Sequence, residues 1–182
     1  MARMPGRART AAGRVTAERL ESVRLVLEPL RPEHADELAR VLDDVSLHRF
    51  TGGSPLAPEE LRTRFELQAR GVSSDGRDRW LNWVVRERAT GRAVGTVQAT
   101  VRGPESASIA YLAWVVGTEH QGHGFAKEAV AAMSGWLRER GIVRRRANIH
   151  PHHGASMAVA RAVGLVPSGV IVDGEVRWES SA

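Results

Sequence analysis

Apolar residues recur along this chain with two alternating periods, and each change of period marks a new element. From Arg24 the run Arg-Leu-Val-Leu-Glu-Pro-Leu reads as a first strand, with Pro29 at its end or at an edge position. Pro32 opens a helix in which Ala35, Leu38, Ala39 and Leu42 recur at helical spacing, with Glu33, Asp36, Glu37 and Arg40 on the polar faces. The breakers Thr51 to Pro55 form a loop. Pro58 and Glu59 then start a second helix to about Ala69, with Leu61, Phe65 and Gln68 inward. Gly71 to Arg79 reads as a polar surface loop, flexible enough to act as a lid.

The second half alternates more strongly. Trp80 to Arg88 and Ala93 to Val101 read as an antiparallel hairpin about the Thr90-Gly91 turn, and after Gly103-Pro104 a further strand runs from Ala107 to Val116. From Ala126 the residues Ala129, Val130, Met133, Trp136 and Leu137 make one apolar stripe, and Gly141 stops that helix. Arg144 to His150 reads as a strand and Ala155 to Val163 as a short helix capped by Gly164. Leu165 to Val172 pairs with Val176 and Trp178 across Asp173-Gly174. The pattern predicts a mixed α/β domain without internal repeats.

Composition narrows the function classes. At 182 residues and 42% hydrophobic content the chain suits one globular domain, expected over residues 21–182 and preceded by a basic mobile tail over residues 1–20. No apolar run approaches the roughly 20 residues needed to cross a bilayer, and the basic N-terminus lacks the apolar segment of a secretory signal. The chain is therefore read as cytoplasmic, with no membrane partner. Zero cysteines remove disulfides, thiolate metal sites and any covalent cysteine intermediate.

The formal charge of +5 suggests nucleic acid until it is divided along the chain. Arg3, Arg7, Arg9 and Arg14 precede the first acidic residue, which leaves the folded part nearly neutral. Lys127 is the only lysine, a bias that points to a GC-rich bacterial coding sequence more than to a nucleic-acid surface. Binding through the arginine tail is a minor alternative, separable by deleting the tail and measuring salt-dependent DNA affinity.

The chemistry concentrates at Gln121-Gly122-His123-Gly124-Phe125-Ala126, between the apolar run Tyr111 to Val116 and a helix. A strand that ends in a glycine turn and opens into a helix offers unpaired backbone N–H groups at the positive end of the helix dipole, which suits a pyrophosphate. Gly122 and Gly124 allow close approach and unusual backbone angles, and Ala126 keeps the first turn slim. The lysine of a Walker motif and the spacing of a dinucleotide fingerprint are both absent.

Read as Gln121-x-x-Gly124-x-Ala126, and with Ile149 to Ser156 and Val159 to Leu165 downstream, the chain resembles the Gcn5-related N-acetyltransferases, the GNAT family. Within that family it most resembles the branch that includes the ribosomal-protein N-terminal acetyltransferases, from about Arg24 to Trp178. The resemblance implies a single-domain α/β fold. Its sheet is twisted, mixed and mostly antiparallel, with helices on both faces and a splayed central strand pair. It implies acetyl-CoA as co-substrate, no metal, and a primary amine as acceptor: a protein or peptide N-terminus, or a small amine such as an antibiotic or amino acid. A homodimer is compatible with it. A catalytically silent acyl-CoA-binding or sensing module is the alternative of a different class.

Site residues follow from the resemblance. Backbone groups near Trp114, Val115 and Val116 would receive the pantetheine arm, and Gln121, Gly122, His123, Gly124, Phe125 and Ala126 the pyrophosphate. Ser156 matches a serine that the branch places near the CoA sulfur. As plain chemistry it is also a helix-start residue able to bond its own backbone. His153 stands where many relatives carry an asparagine that contacts the arm, and as an imidazole it is also a candidate base. Glu105 precedes the central strand, near where the family often places a carboxylate that deprotonates the amine through water. His150 and His152, without thiolate or carboxylate neighbours in the segment, read as loop residues and not as metal ligands. Tyr111 is expected in the core.

Overall fold

The computed structural model describes residues 15–50 and 52–181. Eight strands form one sheet: β1 (Leu20–Glu21), β2 (Leu25–Pro29), β3 (Arg79–Glu87), β4 (Ala93–Arg102), β5 (Ile109–Val116), β6 (Arg144–Ile149), β7 (Leu165–Val172) and β8 (Glu175–Ser180). Their spatial order is β1-β2-β3-β4-β5-β6-β8-β7, and every neighbouring pair is antiparallel except β5 and β6. Four helices cover the sheet: α1 (Ala35–Val41), α2 (Pro58–Ala69), α3 (Phe125–Glu139) and α4 (Gly154–Ala162).

Strand alternation decides which helices go where. Leu81, Trp83, Val85, Val97 and Ala99 turn to one face, where the α3 stripe Ala129, Val130, Met133 and Leu137 is fully buried against them. Burying each of the larger side chains stabilises by about 1.5–3 kcal/mol. Val84, between Trp83 and Val85, turns to the opposite face and packs with Leu38 of α1 and with Leu61 and Phe65 of α2. The sheet thus carries α3 and α4 on one side and α1 and α2 on the other.

A charged cluster ties α1 to the sheet. Arg86 donates to Glu28 at 2.6 Å and to Glu37 at 2.8 Å, and Glu37 also accepts the Ala93 N–H at 2.9 Å. The Arg86 hydrogen bond holds Glu28 below its usual carboxylate range. Burial pushes Glu37 upward, but the Ala93 N–H and Arg86 outweigh it and hold that carboxylate low as well. Buried His34, 3.7 Å from Glu28, is lowered by desolvation and then by Arg86 and Arg31.

Residues ahead of position 21 also touch the core. Val15, Ala17 and Leu20 pack on the main core, and Glu18 is gripped by two indoles. Trp83 Nε1 donates to the Glu18 carbonyl at 2.7 Å, and Trp136 Nε1 donates to its carboxylate at 2.6 Å. Arg140 completes an ion pair with the same carboxylate. The physical reason is that two core tryptophans leave N–H groups needing acceptors, which a sequence period cannot reveal. The tail expectation for residues 1–14 lies outside the described residues.

Three further details differ from the sequence reading. A 3-10 turn, Val45–His48, follows α1, with the Asp44 carboxylate accepting the Ser46 N–H at 2.8 Å. The 71–79 segment is a turn closed on itself, Ser73 N–H donating to the Asp78 carbonyl and Trp80 N–H to the Gly71 carbonyl, both at 3.0 Å. None of its residues lines the large cavity. Tyr111 is half-buried on the α1/α2 side of the sheet, where its hydroxyl accepts from Arg146 at 3.3 Å.

Candidate active site

The site begins where β5 and β6 part. Their parallel pairing covers only Ile109–Tyr111 against Arg144–Arg146, and beyond it Leu112–Val116 and Ala147–Ile149 diverge. Gly117 N–H donates to the Val94 carbonyl at 2.9 Å, which fixes the alternation of the β4–β5 ladder. The backbone groups of Val115 therefore point to β4, and those of Trp114 and Val116 point into the opening. Val115 contributes its side chain to the cavity wall instead. The Val116 carbonyl accepts from Gln121 Nε2 at 3.1 Å, so Gln121 ties the turn to the strand end.

Two glycines not singled out from sequence allow this corner to close. A Cβ on Gly117 would lie 2.6 Å from the Val41 carbonyl oxygen of α1, and one on Gly95 would collide with the Val115 carbonyl of β5. In the expected turn, Gly122 and Gly124 adopt φ of 79° and 80°, the left-handed region that favours glycine. Gly124 caps α3, whose first internal bond runs from the Glu128 N–H to the Gly124 carbonyl at 3.1 Å. The N–H groups of Phe125, Ala126 and Lys127 precede that bond and have no helical acceptor. They form an anion cradle facing the same opening.

Arg24 braces the cradle from behind. Its Nη1 donates to the His123 carbonyl at 2.9 Å, its Nε and Nη2 reach Glu128 at 2.8 and 2.7 Å, and its own N–H donates to Glu128 at 2.7 Å. The Ser22 hydroxyl also donates to Glu128, at 2.8 Å. Burial pushes the Glu128 carboxyl up, yet these donors hold it below its usual range, so it stays ionised and neutralised by Arg24. The guanidinium also lies 5.0 Å over the Phe125 ring. The Phe125 side chain is thereby a core anchor, while the exposed His123 ring turns back toward the His120 carbonyl at 3.3 Å.

One cavity of about 880 Å³ joins the cradle, the β5–β6 opening and the face under α1 and α2. Ser156, half-buried on the first turn of α4, lines it, and among the described residues its hydroxyl makes no hydrogen bond. The alternative of a hydroxyl spent on its own helix start does not arise, because the cap residue is His153. His153 also lines the cavity and stacks on Phe50 at 4.4 Å. Desolvation, and then neighbouring His150, lower its pKa and keep the ring neutral at pH 7.

The predicted site residues fall into two groups. Trp114, Val115, Val116, Gln121, Gly122, Gly124, Phe125, Ala126, His153 and Ser156 all border the one cavity. Glu105 stands at the other end of β5. Its backbone forms the turn Glu105–Ala107 at the start of β5, where β5 and β6 are still paired, at the opposite end of the strand from the cradle. The carboxylate bordering the cavity is Glu175, at the start of β8. The β6–β8 register puts Ile149 opposite Val176, so Glu175 falls opposite His150. Glu175 follows a Asp173-Gly174 turn and carried no signal until β8 was placed beside β6.

The sequence profile of the GNAT acetyltransferase domain matches residues 24–166. The chain belongs to the GNAT acetyltransferase family. Solved structures of the same fold include the acetyltransferase of Salmonella typhimurium that modifies the N-terminal serine of ribosomal protein L7/L12. It is 16% identical, with 89% of this chain and 98% of that one covered and a TM-score of 0.72. The microcin C7 self-immunity acetyltransferase MccE, solved with acetyl-CoA and AMP, is 14% identical over 88% and 94% of the two chains, with a TM-score of 0.73. RimL, the ribosomal L7/L12 α-N-protein acetyltransferase, solved with coenzyme A, is 18% identical over 89% and 97%, with a TM-score of 0.68. A comparison with curated protein sequences finds no match.

The GNAT cavity fits an acyl-CoA on its own features. Free N–H groups at a helix start suit the pyrophosphate, the strand groups of Trp114 and the Val116 N–H, turned away from β4, suit the amides of the pantetheine arm, and Ser156 borders the same cavity. Among the described residues, no helix is long and apolar enough to cross a membrane.

Proposed function

We propose that this GNAT enzyme works as a cytoplasmic acetyltransferase, moving the acetyl group of acetyl-CoA directly to a primary amine within a ternary complex, with Glu175 as base and Ser156 as acid. The observation that carries this reading is that one cavity is bordered by the cradle, by Glu175 and by Ser156, whose hydroxyl makes no hydrogen bond among the described residues. The ammonium gives a proton to the Glu175 carboxylate, directly or through water, and the neutral nitrogen attacks the thioester carbonyl. As the tetrahedral intermediate collapses the C–S bond breaks, and the Ser156 hydroxyl donates to the departing thiolate. The second nitrogen proton returns to the Ser156 oxygen and Glu175 gives its proton to solvent, which leaves amide, CoA thiol, both side chains restored and one proton released.

His153, held neutral by burial, orients the CoA arm through one ring N–H. An amine acceptor is also what the L7/L12-directed relatives take, at a protein N-terminus. The test is thiol release from acetyl-CoA across peptides, amino acids and small amine drugs. Glu175→Gln should lower turnover by about a hundredfold or more while acetyl-CoA still binds by calorimetry. Undiminished turnover in that variant removes Glu175 from the mechanism.

A further inference from the structure

The end of the cavity away from the cradle has its own chemistry. Arg64 and Gln68 of α2 face Asn82 of β3 and Gln98 of β4 there, and the same four residues, with Leu67 and Trp80, continue into a recess of about 260 Å³. The β3–β4 register sets Asn82 opposite Gln98, so both amides rise from one spot on the sheet beneath α2. Their internal hydrogen bonds are long: Asn82 Nδ2 to the Gln68 carbonyl at 3.4 Å and Gln98 Nε2 to Thr100 at 3.3 Å. Such bonds exchange easily for a ligand's.

Charge distinguishes Arg64 from its neighbour. Arg62, two residues earlier, is tied to Asp36 of α1 at 2.8 Å. Arg64 has no carboxylate within ion-pair distance among the described residues, and no acidic side chain borders the recess. Among the described residues the one carboxylate that borders the large cavity is Glu175, on β8 and so three strands from β4 in the sheet order. One wall thus offers a guanidinium with two carboxamides and the other a carboxylate. A guanidinium fork matches a carboxylate or phosphate, and carboxamide N–H groups add donors to the same anion. A carboxylate matches an ammonium.

We infer that the acceptor is a primary amine that also carries a carboxylate or phosphate, gripped by Arg64 while its ammonium end turns to Glu175. This inference rests on the acetyl-transfer reading and specifies its acceptor. Amino acids, acidic peptide N-termini and aminoalkyl phosphates share the required chemistry, and the arms of the test separate them.

Thiol release with acetyl-CoA is measured for matched pairs: an amino acid and its amide, a peptide beginning with acidic residues and its carboxamide counterpart, and phosphoethanolamine and ethanolamine. In at least one pair the anionic member should have a kcat/KM about tenfold higher. Arg64→Gln should collapse that ratio toward one through the acceptor KM, and Arg64→Glu should invert it. Arg62→Gln, on the same helix but already paired away, should leave the ratio as in the parent enzyme. Turnover without charge preference in any pair, or a preference that survives Arg64→Gln, overturns the inference and leaves the transfer reading standing. No thiol release with any pair, while acetyl-CoA binds by calorimetry, overturns the transfer reading and the inference together.

Discussion

On the proposed reading, the two ends of the cavity recognise their ligands by different means. At the cradle the contacts are backbone N–H groups of Phe125, Ala126 and Lys127, aimed by a turn whose two glycines sit in the left-handed region and whose back is held by Arg24. At the acceptor end they are side chains gathered from α2, β3, β4, α4 and β8. A backbone site needs one local conformation and tolerates changes of exposed side chains, whereas a side-chain site needs many elements to converge and changes with each residue. This difference teaches why the family's co-substrate is written in a short motif and its acceptor is not.

The hardest test of the contrast is Gly124→Val. A Cβ there would meet nothing closer than Arg24 Nη2 at 3.5 Å, so the obstacle is conformational. A β-branched residue resists φ near 80° at a cost of about 1–3 kcal/mol, and its branches also face the phosphate path. Calorimetry should show acetyl-CoA affinity down by about a hundredfold, whereas His123→Ala should bind as the parent does. Parent-like affinity in the valine variant would mean that the cradle is not the phosphate site.

Ser156→Ala comes next. A hydroxyl that acts as charge develops on sulfur matters in the transition state, so turnover should fall by tens of times, approaching the ~10² end of acid–base effects, with acetyl-CoA affinity nearly unchanged. Equal losses in turnover and affinity would make Ser156 a binding contact only.

Arg24 and Glu128 test whether the brace is electrostatic. Arg24→Gln leaves an ionised carboxylate beside the phosphate site and should weaken acetyl-CoA binding by about tenfold. Adding Glu128→Gln removes that charge and should recover most of the loss, a coupling that a double-mutant cycle measures. If the double variant binds no better than Arg24→Gln, the pair serves only to hold the fold.

The smallest effect is expected at His153. His153→Asn keeps a donor for the CoA arm, and turnover should change only a few-fold, with the acidic limb of the pH–rate profile retained. Loss of that limb would make His153 the base. Its folded pKa lies below the ordinary 6.5, so the stacking of the neutral ring on Phe50 stabilises the loop fully above that value. That contribution fades as pH falls from 6.5 through the lowered pKa, which proton-dependent melting curves would reveal as a loss in the parent that the asparagine variant lacks.

Much of the framework was legible beforehand because local rules govern it. Pro58 fixes the start of α2 and left-handed Gly141 and Gly164 mark the ends of α3 and α4, each a backbone rule confined to one turn. The α3 stripe is likewise a local period. The cradle follows the same logic, since strand, glycine turn and helix start are contiguous. Glu105 illustrates the opposite case. Its backbone stands at the start of β5 and the cradle follows the strand's other end, and nearness in sequence to a strand does not say which end faces the opening.

What the sequence by itself determined is therefore the order of the elements, the faces they bury, and the strand, glycine turn and helix start around Gln121 to Ala126, all of them products of neighbours within one or two turns. Tertiary structure alone decided that β8 inserts between β6 and β7 and carries Glu175 to the cavity, that Glu18 answers two tryptophans, and that Arg24 clamps Glu128 across 104 positions of chain. The physical reason is that these contacts depend on strand order and on which buried donors still lack acceptors once the sheet has closed. Neither is a property of any local window of residues.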